Sequence, residues 1–330
     1  MKFKENDIRP DHLIKIGDKY FFEDARFLKK NKREFIKFDC PACNSKKKKF
    51  FFKKNSFKYY KCLNCDTIYI TPRPNEKLLD RFYANSKLYK FWNKYIFPAS
   101  EKAREKKIFL PRAKKIISVI KKYKVKRDAI MDIGAGFGTF CKVMNKINFF
   151  RNVYALEPNP DNAENCRKKK IKTFNTSIEK INPKLLKDIN VVTSFEVIEH
   201  ICYPRKFLKK INKVLKKNTI FVFTCPNGLG FETIVLQKKA DTFDHEHLNY
   251  FNPYSAKLMT EKCGFKVLEV LTPGVIDVDI VYNKFKQKKF FTKDKFLLKI
   301  FENEDLKSNF QNFLAKNKLS SHMWVIARKL

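Results

Sequence analysis

Residues 131–140 read MDIGAGFGTF, and this stretch decides the fold. The chain has 330 residues and only eight glycines, yet three of them, Gly134, Gly136 and Gly138, fall within five positions. The apolar segment before them, Ala129–Ile133, has strand character, and TFCKVM after them has helix character. Glycines at a strand-to-helix turn let the backbone approach a ligand, and the helix N-terminus offers free N–H groups. Nineteen residues past Gly138, at the end of the strand-like VYALEPN, stands Glu157. An acid there can accept hydrogen bonds from both hydroxyls of a ribose. The loop reads G-x-G-x-G and lacks the GK[ST] of a P-loop.

Working outward, strands and helices alternate from residue 128 onward. Strand candidates are Ala129–Ile133, Asn152–Leu156, Ile171–Phe174, Val191–Phe195 and Thr219–Thr224. Between and after them lie the helix candidates Thr139–Ile147, Asn159–Lys169, Pro204–Leu215 and Pro253–Cys263. This alternation predicts a parallel sheet covered by helices on both faces. Phe265–Leu271, a lysine-rich insertion and Met323–Ala327 follow. Upstream, 75–97 and 99–123 show apolar residues at helical spacing, whereas 1–35 reads as irregular and polar. The expected organisation is an N-terminal extension (1–35), a cysteine module (36–74), a helical linker or cap (75–125) and an α/β domain (126–330) with an insertion at about 275–320.

Three motifs in order carry a resemblance. DIGAGFG, ALEPN and SFEVIEHI (Ser194–Ile201) are similar to motifs of class I S-adenosylmethionine (SAM)-dependent methyltransferases. The resemblance implies a doubly wound, seven-stranded, mostly parallel α/β sheet with SAM as cofactor. It places Asp132, Gly134, Ala135, Gly136, Gly138, Glu157 and Pro158 against the cofactor. Phe195 and Glu196 would stand near its methionine end, and Ser177, Ile178 and Glu179 where the family contacts adenine.

The cysteines divide into two classes. Cys40/Cys43 (CPAC) and Cys62/Cys65 (CLNC) form two C-x2-C pairs separated by eighteen residues, the spacing of a zinc ribbon. Four thiolates close a tetrahedral shell, which points to structural zinc rather than redox chemistry. The other five, Cys141, Cys166, Cys202, Cys225 and Cys263, are scattered as small core residues are.

Residues 243–251, FDHEHLNYF, hold two of the five histidines. Three readings stand: a general base, a metal site, or a hydrogen-bonded loop. HEHLN lacks the HExxH spacing of a zinc protease. The segment from Glu246 to Phe265 resembles one in methyltransferases that act on sugars of secondary-metabolite or surface-polysaccharide pathways, several of which carry an N-terminal zinc module. In the C-methylating members an adjacent Glu-His pair serves catalysis. It matches Glu246 and His247, with His245 the other candidate base. Those relatives have a tyrosine where this chain has Asp244. Histidine, with an ordinary pKa of about 6.5, suits proton removal near neutrality.

The net charge is +38, yet arginine accounts for only 12 of 72 basic residues and lysine is spread throughout. The expected acceptor is a hydroxyl of a sugar, nucleotide-sugar or related small metabolite. The rival is an RNA base methyltransferase that uses the ribbon and the basic surface. The N/D-P-P-Y/F motif of amino-directed enzymes is replaced by TCPNG. No run of 18 apolar residues predicts a membrane span, and MKFKENDIRPDH lacks a signal-peptide core, so the cytoplasm is the expected compartment. The sequence leaves the oligomeric state open.

Overall fold

The alternation beyond residue 128 closes into one sheet in the computed structural model, which describes residues 5–330. Its strands are β1 (Ala129–Ile133), β2 (Asn152–Leu156), β3 (Lys172–Phe174), β4 (Ile189–Phe195), β5 (Ile220–Pro226), β6 (Phe265–Leu271) and β7 (His322–Lys329). In space they run β3-β2-β1-β4-β5-β7-β6. β1 to β5 pair in parallel, whereas β7 is antiparallel to both β5 and β6. Every residue of β4 and β5 is buried, as befits strands covered on both faces. Successive side chains serve opposite cores. Met131, Val192, Phe221 and Phe223 join one apolar cluster, and Ile130, Val191, Ile220 and Val222 join the other.

The start of the chain differs from expectation. Residues 1–4 lie outside the described part, but Asp11–Lys30 is a 20-residue helix rather than an irregular extension. Its buried side consists of Gly17, Asp24, Ala25 and Leu28. A glycine and an aspartate on that side hide the apolar period from a sequence reading. Asp24 is buried because it caps the helix Lys87–Phe91. Its Oδ2 accepts from the Ser86 hydroxyl and Leu88 N–H, and its Oδ1 from Lys87 N–H.

Helical structure then runs from Lys87 to Lys122, with π turns at Trp92–Ile96 and Glu105–Phe109. This long helix roofs the glycine loop. Phe97 meets Phe137 at 5.6 Å, and Lys142 reaches Glu101 at 3.0 Å. The insertion forms three helices, Asp277–Lys286, Lys295–Phe301 and Glu304–Lys316, between β6 and β7.

The cysteine module is a small antiparallel sheet of Lys48–Lys54, Phe57–Cys62 and Ile68–Ile70. Its fourth strand, Asn249–Tyr250, comes from the α/β domain and pairs with Ile68–Tyr69. Arg73 locks this junction. It is fully buried, and its guanidinium donates to Ile70 O (3.0 Å), Cys202 O (3.1 Å), Asn249 Oδ1 (2.9 Å) and Leu248 O (3.4 Å). The Phe38 ring faces it at 4.0 Å. Burial lowers its pKa to about 10, so it stays charged at neutral pH.

Replacing Arg73 by Met should strand four acceptors. The expected loss is about 2–4 kcal/mol, since each buried acceptor left unpaired costs about 1–3 kcal/mol and some relax. Urea unfolding followed by circular dichroism measures it, and an unchanged midpoint would contradict this account of the junction.

Candidate active site

The glycine loop has the backbone that its sequence demands. Gly134, Gly136 and Gly138 have φ of +73°, +53° and +76°, a region that favours glycine. The loop folds back on β2, with Gly134 N–H donating to Leu156 O at 2.8 Å. A Cβ on Gly134 would stand 2.6 Å from Val197, and one on Gly138 would stand 2.8 Å from the Cys166 sulfur. Gly136 differs, with no atom within 4 Å of where its Cβ would be. The loop is therefore tight against the protein on two glycines and open at the middle one, a fit for a ligand lying along the backbone.

The acids expected around this loop converge on it. Glu157 is buried and accepts from Gly136 N–H (2.7 Å) and Asn159 N–H (2.9 Å). Burial raises its pKa despite those donors. Pro158 follows it, with its carbonyl held by Asn175. Asp132 is buried at the end of β1 and accepts from the Thr193 hydroxyl at 2.7 Å. Burial brings its pKa up to about 7. Ala135 packs against one core cluster, and Ile178 is buried in the other. Phe195 lies against Phe140 at 4.8 Å, with the Arg112 guanidinium 4.9 Å from its ring. Glu196 begins the loop after β4 with φ +55°. It meets His322 (2.8 Å), the Thr224 hydroxyl (2.5 Å) and Arg112 (3.2 Å). Burial opposes its charge, but His322 and Arg112 outweigh burial and hold its pKa low.

The two histidines of FDHEHLNYF go separate ways. His245 is fully buried among Phe21 (4.6 Å), Phe82 (5.8 Å) and Phe57 (6.3 Å), and neither ring nitrogen has a hydrogen-bond partner. His247 instead joins a polar cluster. Its ring lies 4.6 Å from that of His200, and ligand atoms of Glu199, His200 and His247 all fall within 4.8 Å of one another, a grouping that could also hold a cation. His200 Nδ1 sits 3.1 Å from the Tyr83 hydroxyl and 3.2 Å from Glu246 O. Both Glu199 oxygens and Glu246 Oε1 are buried without a hydrogen-bond partner, the last 4.0 Å from His245 Nε2.

Asp244, not Glu246, is the carboxylate that holds His247. His247 Nδ1 lies 2.8 Å from Thr242 O and 3.1 Å from Asp244 Oδ2. Both neighbours only accept, so Nδ1 carries a hydrogen, and in the neutral ring Nε2 is the nitrogen without one. Asp244 Oδ1 also accepts the N–H of Glu246 and of His247, each at 2.8 Å, which folds the loop on itself. Glu246 has no part in that partnership: Asp244, three residues before His247, already closes the turn. Glu199 and Tyr83 were not singled out from sequence. The second acid of EVIEHI was the available signal for Glu199, whereas Tyr83 reads as an ordinary helix residue.

Charge follows burial in this cluster. Burial lowers the His200 pKa to about 3, so that ring is neutral. Burial first, and then the Asp244 charge, raise Glu246 to about 8. Glu199 is raised as well, by burial and by Glu196. Burial also opposes a proton on His247, but Asp244 outweighs it and raises the pKa to about 10. Asp244 is correspondingly held below the usual carboxylate range: burial opposes its charge, and His247 outweighs it.

The four ribbon cysteines meet as the spacing predicts. Cys40 and Cys65 sulfurs lie 3.4 Å apart, Cys43 and Cys62 sulfurs 3.5 Å, and all four fall within 4.8 Å. Zinc bonded to sulfur at about 2.3 Å needs sulfurs roughly 3.8 Å apart, so the donor set fits the ion. Asn252 ties this knuckle to the α/β domain. Its side chain caps the helix Pro253–Glu261 and donates to Cys65 O at 2.8 Å. Elemental analysis should find one zinc per chain, and Cys62→Ser should lose it together with thermal stability. A serine variant that keeps full zinc would break the assignment.

No curated protein matches this sequence. Similar solved structures include an S-adenosylmethionine-dependent methyltransferase from Clostridium acetobutylicum, with 12% identity, TM-score 0.47, and 72% of this chain and 98% of that one covered. Another is a SAM-dependent methyltransferase from Archaeoglobus fulgidus, with 14% identity, TM-score 0.41, and coverages of 66% and 94%. A third is phosphoethanolamine N-methyltransferase 2 from Haemonchus contortus in complex with S-adenosyl-L-methionine, with 18% identity, TM-score 0.43, and coverages of 66% and 52%. A family model described as a methyltransferase domain matches residues 101–270, more than half of the chain. That span contains the glycine loop, Glu157 and the histidine cluster, and the chain belongs to this methyltransferase family as a SAM-dependent enzyme.

Proposed function

We propose that the enzyme methylates a hydroxyl of a small acceptor, a sugar, nucleotide-sugar or related metabolite, with His247 as general base. The observation that carries this reading is the His247 ring itself: Nδ1 is tied to Thr242 O and Asp244, and Nε2 remains for the acceptor. SAM, held along the glycine loop with Glu157 on its ribose, supplies a methyl group on a sulfonium leaving group. His247 takes the hydroxyl proton as the oxygen attacks, and Asp244 stabilises the imidazolium that results. Glu199 and Glu246, with unpartnered carboxyl oxygens, are positioned to bind the acceptor's other polar groups. Tyr83 steadies His200 behind them.

The RNA-directed reading has less support at the site. In TCPNG, Asn227 donates through Nδ2 to Ser320 O (2.9 Å) and accepts Leu229 N–H (3.1 Å), so its amide is engaged within the fold. We further assign zinc to the cysteine ribbon as a structural ion, and the residues near 36–74 and 75–125 to the acceptor side of the site. Nine unbridged cysteines support the cytoplasm as the setting, and no helix among the described residues is long and apolar enough to cross a membrane.

Two measurements test the reading. Isothermal calorimetry should show SAM binding that Glu157→Ala weakens by roughly 1.5–3 kcal/mol, the scale of a hydrogen bond to a charged group. Absence of SAM binding by the unmutated protein would overturn the cofactor site. His247→Ala should lower kcat by about 10²–10⁴ with SAM affinity nearly unchanged.

The pH profile carries the sign of the Asp244 effect. A base must be proton-free, and His247 is held up to about 10, so turnover should rise about tenfold per pH unit through neutrality. Asp244→Asn removes the strongest influence that raises it and leaves Glu199 and Thr242 O against burial, which lowers it. The rising limb should then move to lower pH. A limb that stays in place would assign the titration to another group.

A further inference from the structure

The insertion between β6 and β7 presents a surface that the methyl-transfer chemistry does not use. It leaves the carboxyl end of β6 and returns into the start of the antiparallel β7, so it stands at the end of the sheet where the glycine loop lies. Three phenylalanines project from it: Phe291 is 71% exposed, Phe296 61% and Phe313 52%. Phe296 and Phe313 share a ledge, because both rings rest on Phe310, at 5.7 and 6.2 Å. Phe310 in turn packs on Phe231 at 5.2 Å, which fixes the ledge to the domain. Isolated apolar side chains are ordinary on a surface, but a shared ledge beside an exposed loop phenylalanine is not.

Lysine is concentrated in the segment that carries Phe291 and Phe296. Residues 284–299 hold seven lysines and one aspartate, a density well above that of the chain as a whole. Lys284 and Lys299 are paired with Asp241 and Glu302. Lys288, Lys289 and Lys293 are exposed in the loop around Phe291. An apolar tip ringed by ammonium groups matches the two layers of an anionic bilayer surface: rings enter the headgroup–acyl boundary while lysines stay among the phosphates.

We propose that this tip, Phe291 and Phe296 with the lysines around them, is an interfacial docking surface for a membrane carrying anionic lipid. The alternative polyanion is RNA, on which phenylalanines stack and lysines neutralise phosphate. The composition favours lipid. No arginine occurs between Arg205 and Arg328, so the planar fork suited to individual phosphates is missing from this whole region. The rings also project from a loop and from the start of the helix Lys295–Phe301. The proposal is independent of the acceptor's identity. It places the insertion side of the active site toward the bilayer.

Sedimentation of the zinc-loaded full-length protein with vesicles tests it. Binding is expected to vesicles of phosphatidylcholine with phosphatidylglycerol, to fall with added salt, and to be absent with phosphatidylcholine alone. Phe291→Ser with Phe296→Ser should weaken binding about tenfold or more, with SAM affinity retained as the measure of folding. Phe291→Trp should show a blue-shifted emission on the anionic vesicles, a readout that survives even if the serine variant misfolds. Failure of the unmutated protein to bind would overturn the proposal. So would unshifted emission from Phe291→Trp, or tighter binding to single-stranded RNA that the serine variant loses.

Discussion

The junction between the cysteine module, the loop after β4 and the histidine loop depends on the Arg73 guanidinium and the oxygens it gathers. It reaches the ribbon through Ile70, the loop after β4 through Cys202, and the histidine loop through Leu248 and Asn249. A cation buried away from any carboxylate is unfavourable unless its donors are satisfied, and here four oxygens and an aromatic face do so. Asn249 extends the web, with its amide donating to Ile198, Glu199 and Ile201 carbonyls. The backbone that carries Glu199 and His200 is thereby bound to the backbone that carries His247. Leu248 N–H, which bonds Glu199 O at 2.8 Å, closes the same seam. Side chains held to a common backbone seam in this way keep a fixed mutual geometry.

The electrostatics of the site follow from that enclosure. Acids and histidines are held together with little water, so each charge is set by its neighbours. One carboxylate, Asp244, stays ionised because it has two backbone donors and a histidine. The remaining carboxyls, Glu199 and Glu246, have no such donors and favour their neutral forms. Similar groups are thus driven to different protonation states: the His247 charge and the donors around Asp244 outweigh burial there, whereas at Glu199 and Glu246 burial and a neighbouring carboxylate prevail.

The fold was legible because its signals are local. Three glycines in five residues, an acid after the next strand and alternating strand and helix patterns required no long-range information. The ribbon cysteines were equally plain from spacing. What escaped the sequence was set by tertiary contact. The helix Asp11–Lys30 hides its apolar side behind Gly17 and Asp24, a residue buried only because it caps a helix sixty positions away. The partner of His247 was expected next door at Glu246. The turn geometry selects Asp244, whose side chain can fold back on the N–H groups two and three residues ahead. His245 and His247 have the same flanking chemistry in sequence, and only the aromatic walls of Phe21, Phe57 and Phe82 distinguish them.

The two-residue strand Asn249–Tyr250 has a consequence for synthesis. It completes the edge of the ribbon sheet, yet it pairs with Tyr69 and Ile68 across 180 residues of chain. While the protein emerges, all four cysteines are available long before that edge strand exists. The nascent ribbon therefore presents Ile68, Tyr69 and Ile70, all buried in the finished molecule, as an open apolar edge. Unpaired edges of this sort recruit other strands. The window for misassembly closes only when residue 250 has left the ribosome and the α/β domain has begun to fold.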